Sequence, residues 1–198
     1  MGDKAYRALQ DALKILVDVG DNTHAERAVM LLAGGLRPVA DAHTRIHRGE
    51  MFTADTIAAS LANNANLDII MTTPATDWPH LTVKAMIGGD GELRVYEAPA
   101  FTDGTVITPV NHKFYSSNTW AGAVVHTPTV SSAGTLKISH YIPGGTGGVA
   151  SGGIGGRDEE VQLKPSTSYL IRLTNVSGQS RRAALDLTWY ESKEIPDA

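Results

Sequence analysis

The spacing of apolar and polar positions changes period once along the chain. Near the start, Tyr6, Leu9, Leu13, Leu16 and Val17 recur at intervals of three and four, while Arg7, Asp11, Lys14 and Asp18 fall elsewhere around the turn. This is the stripe of an amphipathic helix, and Gly20 supplies its stop. Thr23 and Glu26 then have the spacing of a capping box, in which hydroxyl and carboxylate each satisfy an orphan backbone donor. They predict a second helix with Ala25, Ala28, Val29 and Leu32 on its apolar side, ended by Gly34-Gly35 and followed by a connector from Arg37-Pro38.

Beyond about residue 48 the period falls to two. Leu81, Val83, Ala85 and Ile87 alternate with Thr82 and Lys84; Tyr169, Ile171 and Leu173 with Arg172 and Thr174; Ala183, Leu185, Leu187 and Trp189 with Asp186, Thr188 and Tyr190. Such runs read as strands with one face in a core and one in water. Gly88-Gly89-Asp90-Gly91, Asp103-Gly104, Ser116-Ser117-Asn118, Ser131-Ser132-Ala133-Gly134, Pro165-Ser166 and Ser177-Gly178-Gln179 separate them, each supplying a residue tolerant of positive φ or a side chain that bonds its own backbone. The predicted strands lie near 69–73, 80–88, 92–98, 105–114, 122–128, 135–142, 160–163 with 168–175, and 182–191. No long helix interrupts them, so crossover connections and a parallel sheet are not expected. The fold class is mainly β: an antiparallel β-sandwich of about eight strands, jelly-roll-like, preceded by a short N-terminal helical segment, with a closed barrel as the alternative. The expected division is residues 1–44 as a helical arm and connector, and 45–198 as the sandwich.

Composition narrows the chemistry. The 198 residues contain no cysteine, which excludes disulfides, thiolate metal sites and cysteine nucleophiles. No apolar run approaches the roughly 20 residues that span a bilayer, and Met1-Gly2-Asp3-Lys4 lacks the apolar core of a signal peptide, so synthesis in a cytoplasm and no membrane partner are expected. A net charge of −4 offers no basic field for nucleic acid.

Eight of the 20 glycines lie between Gly144 and Gly156. Gly145, Gly147 and Ala150 match a G-x-G-x-x-A fingerprint, but more glycine follows where a helix N-terminus should receive a pyrophosphate, and no P-loop Gly-Lys-Ser/Thr occurs. The stretch therefore predicts one pliable loop, 144–156, and no cofactor. His43, His47 and Glu50 have metal-ligand spacing for a helix, yet Arg45 and Arg48 oppose a cation, so a solvated connector is expected and no metal. No G-x-S-x-G elbow exists, and Asp158, Glu159 and Glu160 read as a solvated strand start. No catalytic residue is assigned. Trp189 is in phase with the core, whereas Trp78 and Trp120 are expected to be exposed and available to a partner. Asn175-Val176-Ser177 is a glycosylation sequon by pattern only.

Several phrases together resemble a known family: His47-Arg48-Gly49-Glu50-Met51-Phe52, Thr127-Pro128-Thr129, Ile142-Pro143-Gly144-Gly145, the run Leu163-Lys164-Pro165-Ser166-Thr167-Ser168-Tyr169 continuing to Asn175, and Trp189-Tyr190-Glu191. Over roughly residues 45–192 the chain resembles the small β-sandwich proteins that decorate or cement the heads of tailed bacteriophages. The resemblance implies a non-enzymatic virion protein on the capsid surface, with the major capsid protein as partner and homo-oligomers, often trimers. Two helices of this length are not stable alone in water, so Leu9, Leu13, Leu16, Val29 and Leu32 are expected to bury on the sandwich, on sister subunits or on another protein, and offer a docking element for a partner. A carbohydrate- or receptor-binding module using Trp78, Tyr115 or Trp120 is the alternative.

Overall fold

The structure, a computed structural model, describes residues 41–144, 152–154 and 160–191. The chain divides between Thr44 and Arg45 into two units, and the second carries the sheets. The predicted helices, with Leu9, Leu13, Leu16, Val29 and Leu32, lie outside the described residues. Where a connector was expected, Asp41–Arg48 forms a helix, α1, with Arg45, His47 and Arg48 in its last turn, where cations favour the helix dipole. Gly49 ends it at φ 71°, with Gly49 N–H donating to the Ile46 carbonyl and Glu50 N–H to the Arg45 carbonyl. This pair of bonds is the Schellman motif, and its left-handed residue is the one that glycine supplies without strain.

Strands follow: β1 (Met51–Leu61), β2 (Asn66–Thr72), β3 (His80–Ile87), β4 (Gly91–Glu97), β5 (Ala100–Thr102), β6 (Thr105–Val106), β7 (Val110–Asn111), β8 (Ala123–His126), β9 (Thr129–Ser132), β10 (Thr135–Ile142), β11 (Gly152–Ile154), β12 (Val161–Gln162), β13 (Ser168–Asn175) and β14 (Arg181–Tyr190). One sheet has the order β11-β3-β14-β1-β7, with β12 also on β3; the other has β10-β4-β13-β2-β8-β6; β5 and β9 form a separate ribbon. All pairings among the described residues are antiparallel. If β11 and β12 are taken as two pieces of one run and the short β5 to β9 are set aside, eight runs remain. In one sheet the eighth lies between the first and third; in the other the seventh lies between the second and fourth. That interleaving is the double Greek key of a jelly roll. The protein is thus mainly β, an antiparallel sandwich preceded by a short helix.

The core lies between the two sheets. Phe52 and Ala54 of β1, Leu81, Ala85 and Ile87 of β3, and Leu185, Leu187 and Trp189 of β14 face Leu67, Ile69 and Met71 of β2, Leu93 and Val95 of β4, and Tyr169, Ile171 and Leu173 of β13. Register explains why alternation predicted these strands: Leu81 is opposite Trp189 and Val83 opposite Leu187, so both partners send apolar side chains to the same face.

Three expectations are corrected. The strand β1, which pairs along its length with β14, is absent from the expected strands because its inward positions Ala54, Thr56 and Ala58 are small or polar while the outward Ile57 is apolar, which hides the alternation. The run 105–114 is not one strand: β6 pairs β8 in one sheet and β7 pairs β1 in the other. Pro109, lacking an N–H, stands where the chain changes sheets. Within the glycine-rich stretch, Gly152–Ile154 is a strand opposite Ile87, Met86 and Ala85, because ladder bonds at an edge need only backbone; residues 145–151 and 155–159 lie outside the description.

Candidate docking surface

Two places gather polar or exposed groups. The first is on the outer face of the β3–β14–β1 sheet, at the end where Met51, Tyr190 and His80 share a register row. The Tyr190 and His80 rings stack at 4.8 Å. Tyr190 Oη donates to Glu160 Oε1 at 2.6 Å, and His80 Nδ1 lies 2.8 Å from the same oxygen. Arg45 also lies over the Tyr190 ring, 5.1 Å from its centroid, and donates to Glu50 and to the Glu191 carbonyl. Glu160 is therefore half-buried and bonded, not the solvated strand start expected. Burial, with Asp77 and Glu50 nearby, pushes the Glu191 carboxyl up to about 7. A histidine, a carboxylate and a phenol resemble proton-transfer machinery, yet no serine or threonine hydroxyl among the described residues bonds His80. The group ties α1 to the strand ends. No cluster of three His, Asp or Glu among the described residues is placed to hold a metal, and no constellation among them joins nucleophile, base and charge stabiliser.

The second place is the loop from β7 to β8. Its first part is pinned to the end of α1 by amides. Asn111 Nδ2 donates to the Gly49 carbonyl at 2.8 Å and to the Asn118 carbonyl at 3.3 Å, while Asn111 Oδ1 accepts from Lys113 N–H. Asn118 Nδ2 reaches the Arg48 and Gly49 carbonyls, and Lys113 Nζ donates to the His47 carbonyl. Ser116 Oγ accepts from Asn118 N–H, and Ser116 N–H closes a turn on the Lys113 carbonyl. His112 is partly buried, which pushes its imidazole pKa down. At the tip of this braced turn, Phe114 and Tyr115 are 87% and 83% exposed, with Lys113 Nζ 5.2 Å from the Tyr115 ring centroid. Val110, at the loop's base, is half exposed.

The expected partner residues are distributed differently. Trp78 is half-buried ahead of β3. Trp120, expected to be exposed, is a core residue: it is only 8% exposed and meets Trp189 edge-on at 4.8 Å, and Trp189 in turn stacks on Phe52 at 6.1 Å. Gly122 makes this possible, because a Cβ there would sit 2.6 Å from the Trp120 ring. Asn175 is no glycan acceptor either; it is fully buried, with Nδ2 donating to the Leu61 and Gln179 carbonyls. Tyr115 is exposed as the sequence reading required. Phe114 was overlooked there, and its neighbours Ser116-Ser117-Asn118, read as a turn, were the available signal.

No family model matches the chain, and no curated protein matches it. Among solved structures, a chain of Desmodium yellow mottle tymovirus is similar at 10% identity, over 75% of this chain and 89% of that one, with a TM-score of 0.25. The class of fold is set by strand order instead: a jelly roll, the architecture of many viral capsid and lectin domains and of cupins. Among the described residues no helix is long and apolar enough to cross a membrane.

Proposed function

We propose that this is a structural virion protein that binds and stabilises the outer surface of a tailed-phage capsid, without enzymatic activity. The observation that carries the reading is a jelly roll whose solvent-exposed aromatic pair sits on a turn braced by Asn111 before it and Asn118 after it. Exposed Phe and Tyr on a rigid support are what interface anchors require, since little side-chain or loop entropy is lost when they bury. The major capsid protein is the partner and a trimer the oligomer in this reading, with residues 1–44 as a separate arm that adds contact area. The carbohydrate-binding alternative loses Trp120, its central aromatic, to the core.

Co-sedimentation tests the proposal. The full-length protein should pellet saturably with purified undecorated shells and raise their disruption temperature. Failure to pellet, together with saturable capture on a glycan array, would replace it with the alternative.

A further inference from the structure

The outer face of the second sheet carries an apolar row that the core does not account for. Ile70 lies between core-facing Ile69 and Met71, and Leu170 between core-facing Tyr169 and Ile171, so both point away from the sandwich interior. They are nevertheless 1% and 0% exposed. The two are opposite each other, and the register extends their row to Val125 and Val106 on one side and to Tyr96 and Leu136 on the other. Every strand of the sheet thus contributes one apolar residue. Val106 and Leu136, at the ends, are 72% and 50% exposed, so only the middle of the row is sealed.

The path of the β5–β9 ribbon supplies a cover. β5 follows β4 and β9 leads into β10, whereas their other ends lead to β6 and from β8. Between those two pairs of strands lie β13 and β2, the strands of Leu170 and Ile70. At one end of the ribbon, Ala98 N–H donates to the carbonyl of Ser168, the first residue of β13. At the other, Gly104 packs so closely on Val125, the row's next member, that a Cβ would lie 3.2 Å from that side chain. Midway, Phe101 and Val130 are paired and half-buried, while Ala100, Thr102, Thr129 and Ser131 are exposed. All four corners of the ribbon are left-handed: Ala98 (φ 57°) before Pro99, Asp103 (57°) with Gly104 (111°), Thr127 (50°) before Pro128, and Gly134 (87°). A β-branched residue at positive φ is an outlier, and such strain persists only where the surrounding packing imposes it.

We propose that the β5–β9 ribbon is a hinged strap, closed by Phe101 and Val130 over Ile70 and Leu170, which lifts as a unit and bares the apolar row while both sheets stay folded. A two-stranded ribbon has little stability of its own, so the contact beneath it holds it down. Lifting relieves the strained corners, which makes it easier than global unfolding. The fold thereby keeps an apolar surface in reserve.

The absence of cysteine makes the test clean, because one introduced thiol reports alone. In full-length protein, Ile70→Cys and Ile69→Cys place thiols at adjacent buried positions on opposite faces of β2, and a chromogenic disulfide reagent measures their labelling. Ile70→Cys should react at least about tenfold faster than Ile69→Cys, yet far more slowly than in urea. Adding Phe101→Ala should speed Ile70→Cys by about tenfold or more. Adding Gly49→Ala, which weakens the fold away from the ribbon, should speed Ile69→Cys and leave Ile70→Cys unchanged. Circular dichroism checks folding, and Val130→Ala repeats the comparison if Phe101→Ala does not fold. Equal labelling of the two thiols would show that the row opens only with the whole protein and would overturn the strap. So would Ile70→Cys labelling that neither ribbon substitution alters, or that is as fast as in urea.

Discussion

Replacing Gly49 by alanine perturbs the fold and the candidate site at one atom. Gly49 sits at φ 71°, so an alanine there takes a left-handed conformation that costs about 1–2 kcal/mol. Its Cβ would also lie 2.5 Å from Ser116 Oγ and 3.3 Å from Ser116 Cβ. The hydroxyl must turn away, which breaks the 3.1 Å bond it accepts from Asn118 N–H and costs about 1 kcal/mol more. Gly49→Ala should therefore destabilise by about 2–3 kcal/mol in a urea titration. Ser116→Ala alone should cost about 1 kcal/mol, because it loses the same bond. The double variant should cost about as much as Gly49→Ala, leaving a coupling near 1 kcal/mol. Hydrogen exchange should quicken at Asn118 in all three. A Gly49→Ala variant as stable as the wild type, or strictly additive costs, would refute the view that α1 and the loop interlock at this point.

Three further outcomes follow from the same structure. Because folding raises the Glu191 carboxyl to about 7, the native state holds a proton that the unfolded chain has already released. Stability from this group is thus fully present below about pH 4.5 and declines as pH rises through 7; after allowance for solvent screening the loss is about 1–2 kcal/mol, and Glu191→Gln should abolish that slope in melts taken from pH 5 to 8. Trp120→Ala should cost about 3–5 kcal/mol and diminish the near-ultraviolet circular dichroism of the Trp120–Trp189 pair; a loss under about 1 kcal/mol would return Trp120 to the surface. Asp68 holds Arg172 through two bonds of 2.8 and 2.7 Å, with Arg94 opposite on the next strand. Asp68→Ala leaves two neighbouring guanidinium groups with one fewer carboxylate and should cost about 2–3 kcal/mol, whereas an unchanged urea midpoint would show the pair to be idle.

The strands that sequence disclosed are those whose two faces differ. In β3, β13 and β14, Leu81, Ile171 and Leu185 face the core while Lys84, Arg172 and Asp186 face water, and the alternation is visible without a partner. It fails in β1, where the space beside the core is filled by Ala54 and Ala58, and Ile57 points outward. Size complementarity across sheets is a property of pairs, and a single run does not display it. Trp120 misled for a related reason: a tryptophan near turn residues looks exposed until Gly122 is seen to clear room for the indole. The candidate site was half legible. Tyr115 stood out by type, but the braces come from Asn111, Lys113 and Asn118 reaching backbone carbonyls more than sixty residues away, and bonds to backbone carry no sequence signature.

The most direct test of the central claim is a density map of undecorated shells incubated with the full-length protein. The account predicts ordered density on the outer surface, with the Phe114–Tyr115 turn inserted at the contact and the sandwich standing above it. Shells that remain bare, or density in which that turn points to solvent while another face makes the contact, would contradict it.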